Sequence, residues 1–351
     1  MIDNAALPAS PQPLRWAEAW APASVGNISV GFDLLGHTLD VAGDRVRVTL
    51  APGETGVRVR SLAWDEETVP RGAETPALPL DAERNTAGAA LLALLTQLEA
   101  DRAQGTERTE GAGGAGSSLP GFVVDIRKGI PLGSGMGGSA ASAVAALTAA
   151  NALLAHPLEP AALYPAALAG ETVASGSAHG DNVGPQLLGG VVLALPDRLV
   201  PIPIPAGWDL HCALVHPHQV LETRRAREVL AAPFPLADVV VQSGRLAAFI
   251  AACYRDDLGL LRGTLADALV EPRRAPLIPG FQAGRNAALR KGALGAGISG
   301  GGPSIFAWFE GADAAALGAR AMKAAVEDKG IGADAWSAPV AGPAARVESC
   351  G

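Results

Sequence analysis

Between Lys128 and Val144 the chain reads KGIPLGSGMGGSAASAV, a glycine-rich turn running straight into an alanine-rich helix. Such a junction attracts anions. Gly133, Gly135, Gly137 and Gly138 permit positive φ, so successive backbone N–H groups can converge on one point. The helix adds its unpaired first-turn amides and the positive end of its dipole. Ser139 brings a hydroxyl suited to a hydrated cation, and Lys128 brings a positive charge a few residues upstream, which together point to the phosphates of a nucleotide.

Other accounts of this turn fit less well. A P-loop would end in Gly-Lys-Ser/Thr, which is missing here. Gly133-x-Gly135-x-x-Gly138 matches the dinucleotide fingerprint, but Pro131 interrupts the run into the first glycine. The residues before it mix apolar and charged types, where a buried parallel strand would be continuously apolar. A glycine-rich helix start without a ligand stays open. His216-x-His218 near Cys212 supplies too few donors for a four-ligand zinc site.

Positioning these groups takes a sizeable core, and 351 residues with 49% hydrophobic content can build one, in two domains by length. Lys and Arg total 27 against 35 Asp and Glu, and a net charge of -8 argues against nucleic-acid or anionic-membrane partners. Three cysteines without a CxxC pair fit a reducing compartment, and the N-terminus lacks a basic start and an apolar run; a cytoplasmic protein is expected. The stretch from Ala140 to Ala155 is mostly alanine and falls short of the roughly 20 strongly apolar residues of a membrane span, so it reads as a core helix.

Pro-, Ala- and Ser-rich residues 1–13 form an expected disordered extension, and 101–118 an expected mobile insertion. Val46 to Leu50 and Val57 to Arg60 alternate apolar and polar residues, predicting an antiparallel strand pair. Further strands are expected at 121–126, 187–195, 210–215 and within 297–309. Helices are expected at 86–100, 139–155, 160–175, 223–230, 244–254, 258–269, 281–291 and 314–327, with Pro165 confining the third of these. Prolines at 196, 201, 203 and 205 mark a junction between domains 14–198 and 199–351. The alternation makes an α+β protein, without internal repeats.

Three separated segments carry a resemblance: APASVGNISVGFDLLG (21–36), PLGSGMGGSAAS (131–142) and GISGGGPS (297–304). In order and spacing they resemble the three motifs of the GHMP kinases, and GFDLLG, HGDNVGPQLLGG and EPRRAPLIPGF are similar to the branch acting on L-homoserine. The resemblance implies ATP-dependent phosphorylation of the L-homoserine side-chain hydroxyl on the route to threonine. It also implies Mg²⁺, frequent homodimers, an N-terminal domain with a left-handed βαβ crossover and a ferredoxin-like C-terminal domain. Right-handed crossovers are the rule, so that handedness comes from the family alone.

Residue by residue, the resemblance places the metal at Ser139 and Glu171 and the substrate amine at Asp33. It places the substrate carboxylate at Arg227 and Arg274, with His179, Asn182 and Thr223 completing the pocket. Asn182 is expected at the reacting hydroxyl, with His179 and Asp181 as weaker candidates for acid or base work; Asn27 lies near phosphates or substrate. Adenine is expected near Asn85, which would serve equally as a helix N-cap. ATP phosphates fall to Lys128, Pro131, Gly133, Ser134, Gly135, Met136, Gly137, Gly138, Ser139 and Ala140. Arg224 and Arg225 beside Arg227, and Arg273 beside Arg274, are equally explained by solvated helix faces. Two departures stand out: Ser24-Val25-Gly26-Asn27 replaces the usual Ser-Ser-Ala-Asn, and Gly138 replaces the first serine of the phosphate turn. Another small alcohol as acceptor, or a non-catalytic nucleotide sensor on the same fold, are the alternatives.

Overall fold

A computed structural model describes residues 14–65, 75–103 and 119–351. The expected extension at 1–13 and most of the expected insertion lie outside these residues; Asp101 to Ala103 complete a helix. The first sheet is built on β1 (Trp16–Gly26) and β2 (Leu35–Ala51), paired antiparallel from Trp16 opposite Thr49 to Gly26 opposite Gly36. In β2 the buried Val46 and Val48 alternate with the outward Arg45 and Arg47, giving the sheet one apolar and one charged face.

β3 (Val57–Trp64), α1 (Thr86–Ala103) and β4 (Gly121–Lys128) follow. The antiparallel pair expected of β2 and β3 does not form, because β4 lies between them, antiparallel to β2 and parallel to β3. Two features decide this. β4 buries Phe122, Val123, Val124 and Ile126 where β3 buries only Val59, so β4 takes the inner place of these two. The turn after β2 also spends its Glu54 and Gly56 carbonyls on the N–H groups of Gly121 and Phe122, anchoring the start of β4 instead of closing a hairpin.

α2 (Gly138–Ala152) packs its alanines on β1 and β2, and α3 (Tyr164–Ser175) carries Pro165 harmlessly in its first turn. α4 (Gly180–Leu188) precedes β5 (Val191–Ala194) and β6 (Leu199–Ile202), which extend the first sheet from β2. The strand expected from Leu187 therefore starts late: Leu187 and Leu188 finish α4, and Gly189 and Gly190 turn the chain with φ of 78° and 62°.

The second sheet begins with β7 (Leu210–Pro217), followed by α5 (Thr223–Glu228), α6 (Leu236–Arg255), α7 (Leu258–Leu261), α8 (Glu271–Arg274) and α9 (Phe281–Arg290). β8 (Gly295–Ile298), β9 (Ile305–Glu310), α10 (Ala312–Glu327) and β10 (Ala333–Pro339) complete it. Strand order β10-β7-β9-β8 with antiparallel neighbours is the ferredoxin-like arrangement. The helix expected at 258–269 stops at Leu261, where Thr264 Oγ bonds the Leu261 carbonyl; α6 starts eight residues before the expected 244, its β-branched run having masked the helix. The last strand, β11 (Arg346–Cys350), returns to pair with β1. Both β6 and β11 lie past residue 198, yet both belong to the first sheet.

Candidate active site

The turn from Gly133 to Gly137 closes against its neighbours through both backbone and shape. Gly133, Gly135 and Gly137 hold φ of 61°, 75° and 70°, and Gly137 caps α2. A Cβ on Gly137 would stand 2.0 Å from Ser24 Oγ, and one on Gly135 2.5 Å from the Ser299 carbonyl, so side chains are barred twice over. The Ser24 N–H donates to the Met136 carbonyl (3.0 Å), Ser304 N–H to the Ser134 carbonyl (3.1 Å), and Ser299 Oγ to the Gly135 carbonyl (2.7 Å). The third motif thus braces the turn.

A cavity of about 580 Å³ opens over it. Pro131, Gly133, Ser134, Gly135, Gly137, Gly138 and Ser139 line it, whereas Met136 and Ala140 are fully buried away from its wall. Lys128 reaches the cavity wall but is already engaged. Its ammonium pairs with the buried Asp44 and donates to the Gly138 carbonyl (2.7 Å) and Ser142 Oγ (3.0 Å). Asp44 also accepts from the N–H groups of Gly129 and Ile130 (3.0 and 3.1 Å), so this pair pins the turn beneath the cavity.

Ser139 Oγ donates to Glu171 at 2.7 Å, joining the first turn of α2 to α3. Burial pushes the Glu171 carboxyl up to about 7, with the Ser139 bond opposing the shift. The two oxygens are of the kind Mg²⁺ takes: both are hard donors, and this ion keeps waters and phosphate oxygens for its remaining positions. Among the described residues no group of three or more His, Cys, Asp or Glu side chains is placed to hold a metal ion.

The acceptor side gathers charges from distant segments. Asp33, at φ 59°, pairs with Arg227 through both carboxylate oxygens (3.0 and 3.2 Å) and lies 3.3 Å from His179 Nδ1. Burial holds the His179 imidazole below its usual range against the opposing pull of Asp33. Arg274 is 2% exposed, donates to the Ala226 and Gly300 carbonyls (2.9 and 3.0 Å), and is lowered to about 10 by burial. Both guanidiniums face the Phe32 ring, at 5.7 Å for Arg227 and 5.2 Å for Arg274. Arg224 reaches the cavity rim but is exposed, Arg225 is exposed, and Arg273 stacks on Phe234. Thr223 opens α5, and its side chain lies outside the described residues.

Asn27 and Asn182 join the two sides. Asn27 Oδ1 accepts from the Asp33 N–H (2.8 Å) and its Nδ2 donates to the Gly300 carbonyl (2.8 Å). Asn182 Oδ1 accepts from Ser24 Oγ (2.8 Å). Beside it the fully buried Asp181 accepts from the Asn27 N–H (3.1 Å), and burial with the nearby Asp33 charge drives it up to about 7. Asn85 lines the far end of the cavity while capping α1, its Oδ1 accepting from the N–H groups of Ala87 and Gly88 (3.0 and 3.2 Å).

Sequence reasoning overlooked Asp44, Phe32 and Gln186. Gln186 donates to the Pro22 and Gly137 carbonyls (2.9 and 3.1 Å), fastening α4 to the phosphate turn. Asp44 was accessible, since it precedes the inward Val46 and Val48 by the strand period of two.

Residues 88–190 match the GHMP kinases N terminal domain and 249–328 the GHMP kinases C terminal domain. The homoserine kinase of Xanthomonas campestris pv. campestris is 52% identical over 99% of this chain and 98% of its own length. The chain belongs to the GHMP kinase family. The homoserine kinase of Xylella fastidiosa is likewise 52% identical over 94% of both chains. The crystal structure of homoserine kinase from Cytophaga hutchinsonii superposes with a TM-score of 0.82 at 36% identity, covering 97% of this chain and 99% of that one. As a GHMP kinase, the chain pairs the family's nucleotide turn with a charged pocket in one cavity.

Proposed function

We propose that this GHMP kinase transfers the γ-phosphoryl group of ATP to the side-chain hydroxyl of L-homoserine, giving O-phospho-L-homoserine and ADP in threonine biosynthesis. The observation that carries the reading is the placing of Asp33, Arg227 and Arg274 in the same cavity as the phosphate turn. A carboxylate beside two guanidiniums matches the ammonium and carboxylate of an amino acid, and relatives at 52% identity bear that activity in their name.

In this reading the turn amides and the start of α2 hold the triphosphate, with adenine toward Leu62, Leu78, Pro79 and Asn85. Ser139 and Glu171 would hold Mg²⁺, which when bound neutralises charge on the outer phosphates. Asp33 exchanges Arg227 for the substrate ammonium, freeing Arg227 to join Arg274 on the carboxylate. Asn182 orients the hydroxyl, with His179 bonding at the pocket edge. Positioning and charge neutralisation supply most of the acceleration in a loose phosphoryl transfer, so a dedicated base is not required.

Turnover across homoserine, shikimate, mevalonate and galactose, followed by coupled ADP release, tests the proposal. Homoserine should dominate. A preference for another alcohol would replace the substrate, and ATP binding without acceptor-dependent ADP release would make the protein a sensor. A homodimer is supported by α6, whose Leu236, Val240 and Tyr254 are exposed on a helix long and apolar enough to span a membrane; sedimentation should give twice the chain mass. Free thiols at Cys212, Cys253 and Cys350 support a cytoplasmic location.

A further inference from the structure

Behind the acceptor pocket lies a void of about 10 Å³, walled by Asn27, Ser29, Glu271, Arg274 and Gly300 among others. It touches both sides of the substrate site at once. Asn27 supports Asp33 from one side, and Arg274 faces the substrate carboxylate from the other. Two buried oxygens that border this void, Ser29 Oγ and Glu271 Oε2, have no hydrogen-bond partner among the described residues. Ser29 is 3% exposed, so its hydroxyl cannot turn to bulk solvent. The same two oxygens crowd one point above Gly297, where a Cβ would meet Ser29 Oγ at 2.2 Å and Glu271 Oε2 at 3.0 Å.

The backbone explains why such a place matters. Asn27, Ile28 and Ser29 all hold left-handed φ, at 70°, 40° and 55°, and none is glycine. Such a run persists only where the surroundings hold it. Holds on it include the Asp181 carboxylate on the Asn27 N–H, the Gly300 carbonyl on Asn27 Nδ2, and Gln242 Nε2 on the Ser29 and Val30 carbonyls at 3.5 and 3.0 Å. The Ser29 hydroxyl has no such tie among the described residues. The facing acid, Glu271, already has its other oxygen 3.3 Å from Arg285 Nε and stands at the start of α8, the helix that ends in Arg274.

We infer that one ordered water molecule bridges Ser29 Oγ and Glu271 Oε2, and that through it Glu271 acts as a positioning residue for the acceptor pocket. The void has the volume of about one water, and its polar lining is what retains a buried one. The water donates to the carboxylate and bonds the serine hydroxyl, tying the left-handed turn to α8. Spacing between the ammonium-binding and carboxylate-binding groups is then set by a link that touches neither substrate end.

A high-resolution crystal structure of the full chain tests the bridge. One water within hydrogen-bond distance of both oxygens is expected; a direct bond between them, a bound cation, or a Ser29 hydroxyl paired elsewhere would overturn it. Kinetics test the role, and this arm rests on the proposed substrate. Glu271→Ala should raise the homoserine KM about tenfold, leaving kcat and the ATP KM within about twofold. Glu271→Gln, whose amide can keep its oxygen on Arg285 and bond the water through its NH₂ group, should restore most of the loss. Equal damage to both KM values, or a change in melting temperature alone, would reduce Glu271 to a structural residue. Should Glu271→Ala not fold, Ser29→Ala removes only the hydroxyl and should move the homoserine KM the same way. A wild-type protein inactive on homoserine would reject the function while leaving the crystallographic result to decide the bridge.

Discussion

The two halves of the cavity recognise charge by opposite means. On one side lie backbone amides of one continuous segment, residues 133–139, whose shape is held by Gly133, Gly135 and Gly137 at positive φ. On the other side lie side chains from turn, α4, α5 and α8 segments, and Asp33 and Arg227 satisfy each other, a pair that the proposed zwitterionic substrate would separate. Backbone recognition is rigid and indifferent to what lies beyond the phosphates. Side-chain recognition is selective because each charge must find its counterpart in the ligand.

This contrast can be broken at several points. The largest expected effect is on stability, at Lys128: if it pins the turn through Asp44, Lys128→Ala leaves a buried charge and costs about 3–5 kcal/mol in denaturant unfolding. Lys128→Ala with Asp44→Asn should recover most of it. A folded single variant with only a raised ATP KM would return Lys128 to the phosphates. Next, Glu171→Ala should lower turnover by about 100-fold or more, partly relieved by excess Mg²⁺. Activity unchanged at limiting Mg²⁺ would remove the metal assignment.

On the other side, Arg274→Ala should raise the homoserine KM by about 30-fold or more and spare the ATP KM, as loss of a buried charged donor does. An ATP-specific defect would move Arg274 across the cavity. Gly137→Ala forces a Cβ into a left-handed position against Ser24 and should cost about 1–3 kcal/mol by thermal unfolding, with ATP affinity reduced; a neutral result would mean the turn is pliable.

The smallest effect is the pH dependence. Glu171, Asp181 and Glu271 are each raised to about 7, above their unfolded values, so the ligand-free fold binds more protons than the unfolded chain between the two. Stability from these groups is present at low pH and declines as pH rises through about 4.5 to 7. Glu171→Gln should flatten that decline. Mg²⁺ held as proposed would compete with the Glu171 proton, so stabilisation by Mg²⁺ with nucleotide should grow from pH 6 to pH 8, and a flat dependence would contradict the site.

Legibility followed locality. The phosphate turn, α2 and the capping of α1 by Asn85 were readable because glycine spacing and side-chain caps act within a few residues. β2 and β3 were also readable as strands, but their partner was not, since β4 arrives from far along the chain and wins the inner position by burying more apolar surface. Charge alone could not sort the arginines. Arg227 turns inward to Asp33 and Arg224, three residues away, is exposed, because one turn of α5 presents them to different surroundings.

By itself the sequence determined where a phosphate could bind, since positive φ and helix-start amides are properties of a short segment. The three motif matches, by resemblance, named the other groups. Only tertiary structure decided that Lys128 is held by Asp44, that Asp33 and Arg227 hold each other, and that Ser29 and Glu271 meet behind the pocket. The reason is burial. A buried charge must find its partner among whatever residues the fold brings near, and that neighbourhood is set by sheet pairing across the whole chain.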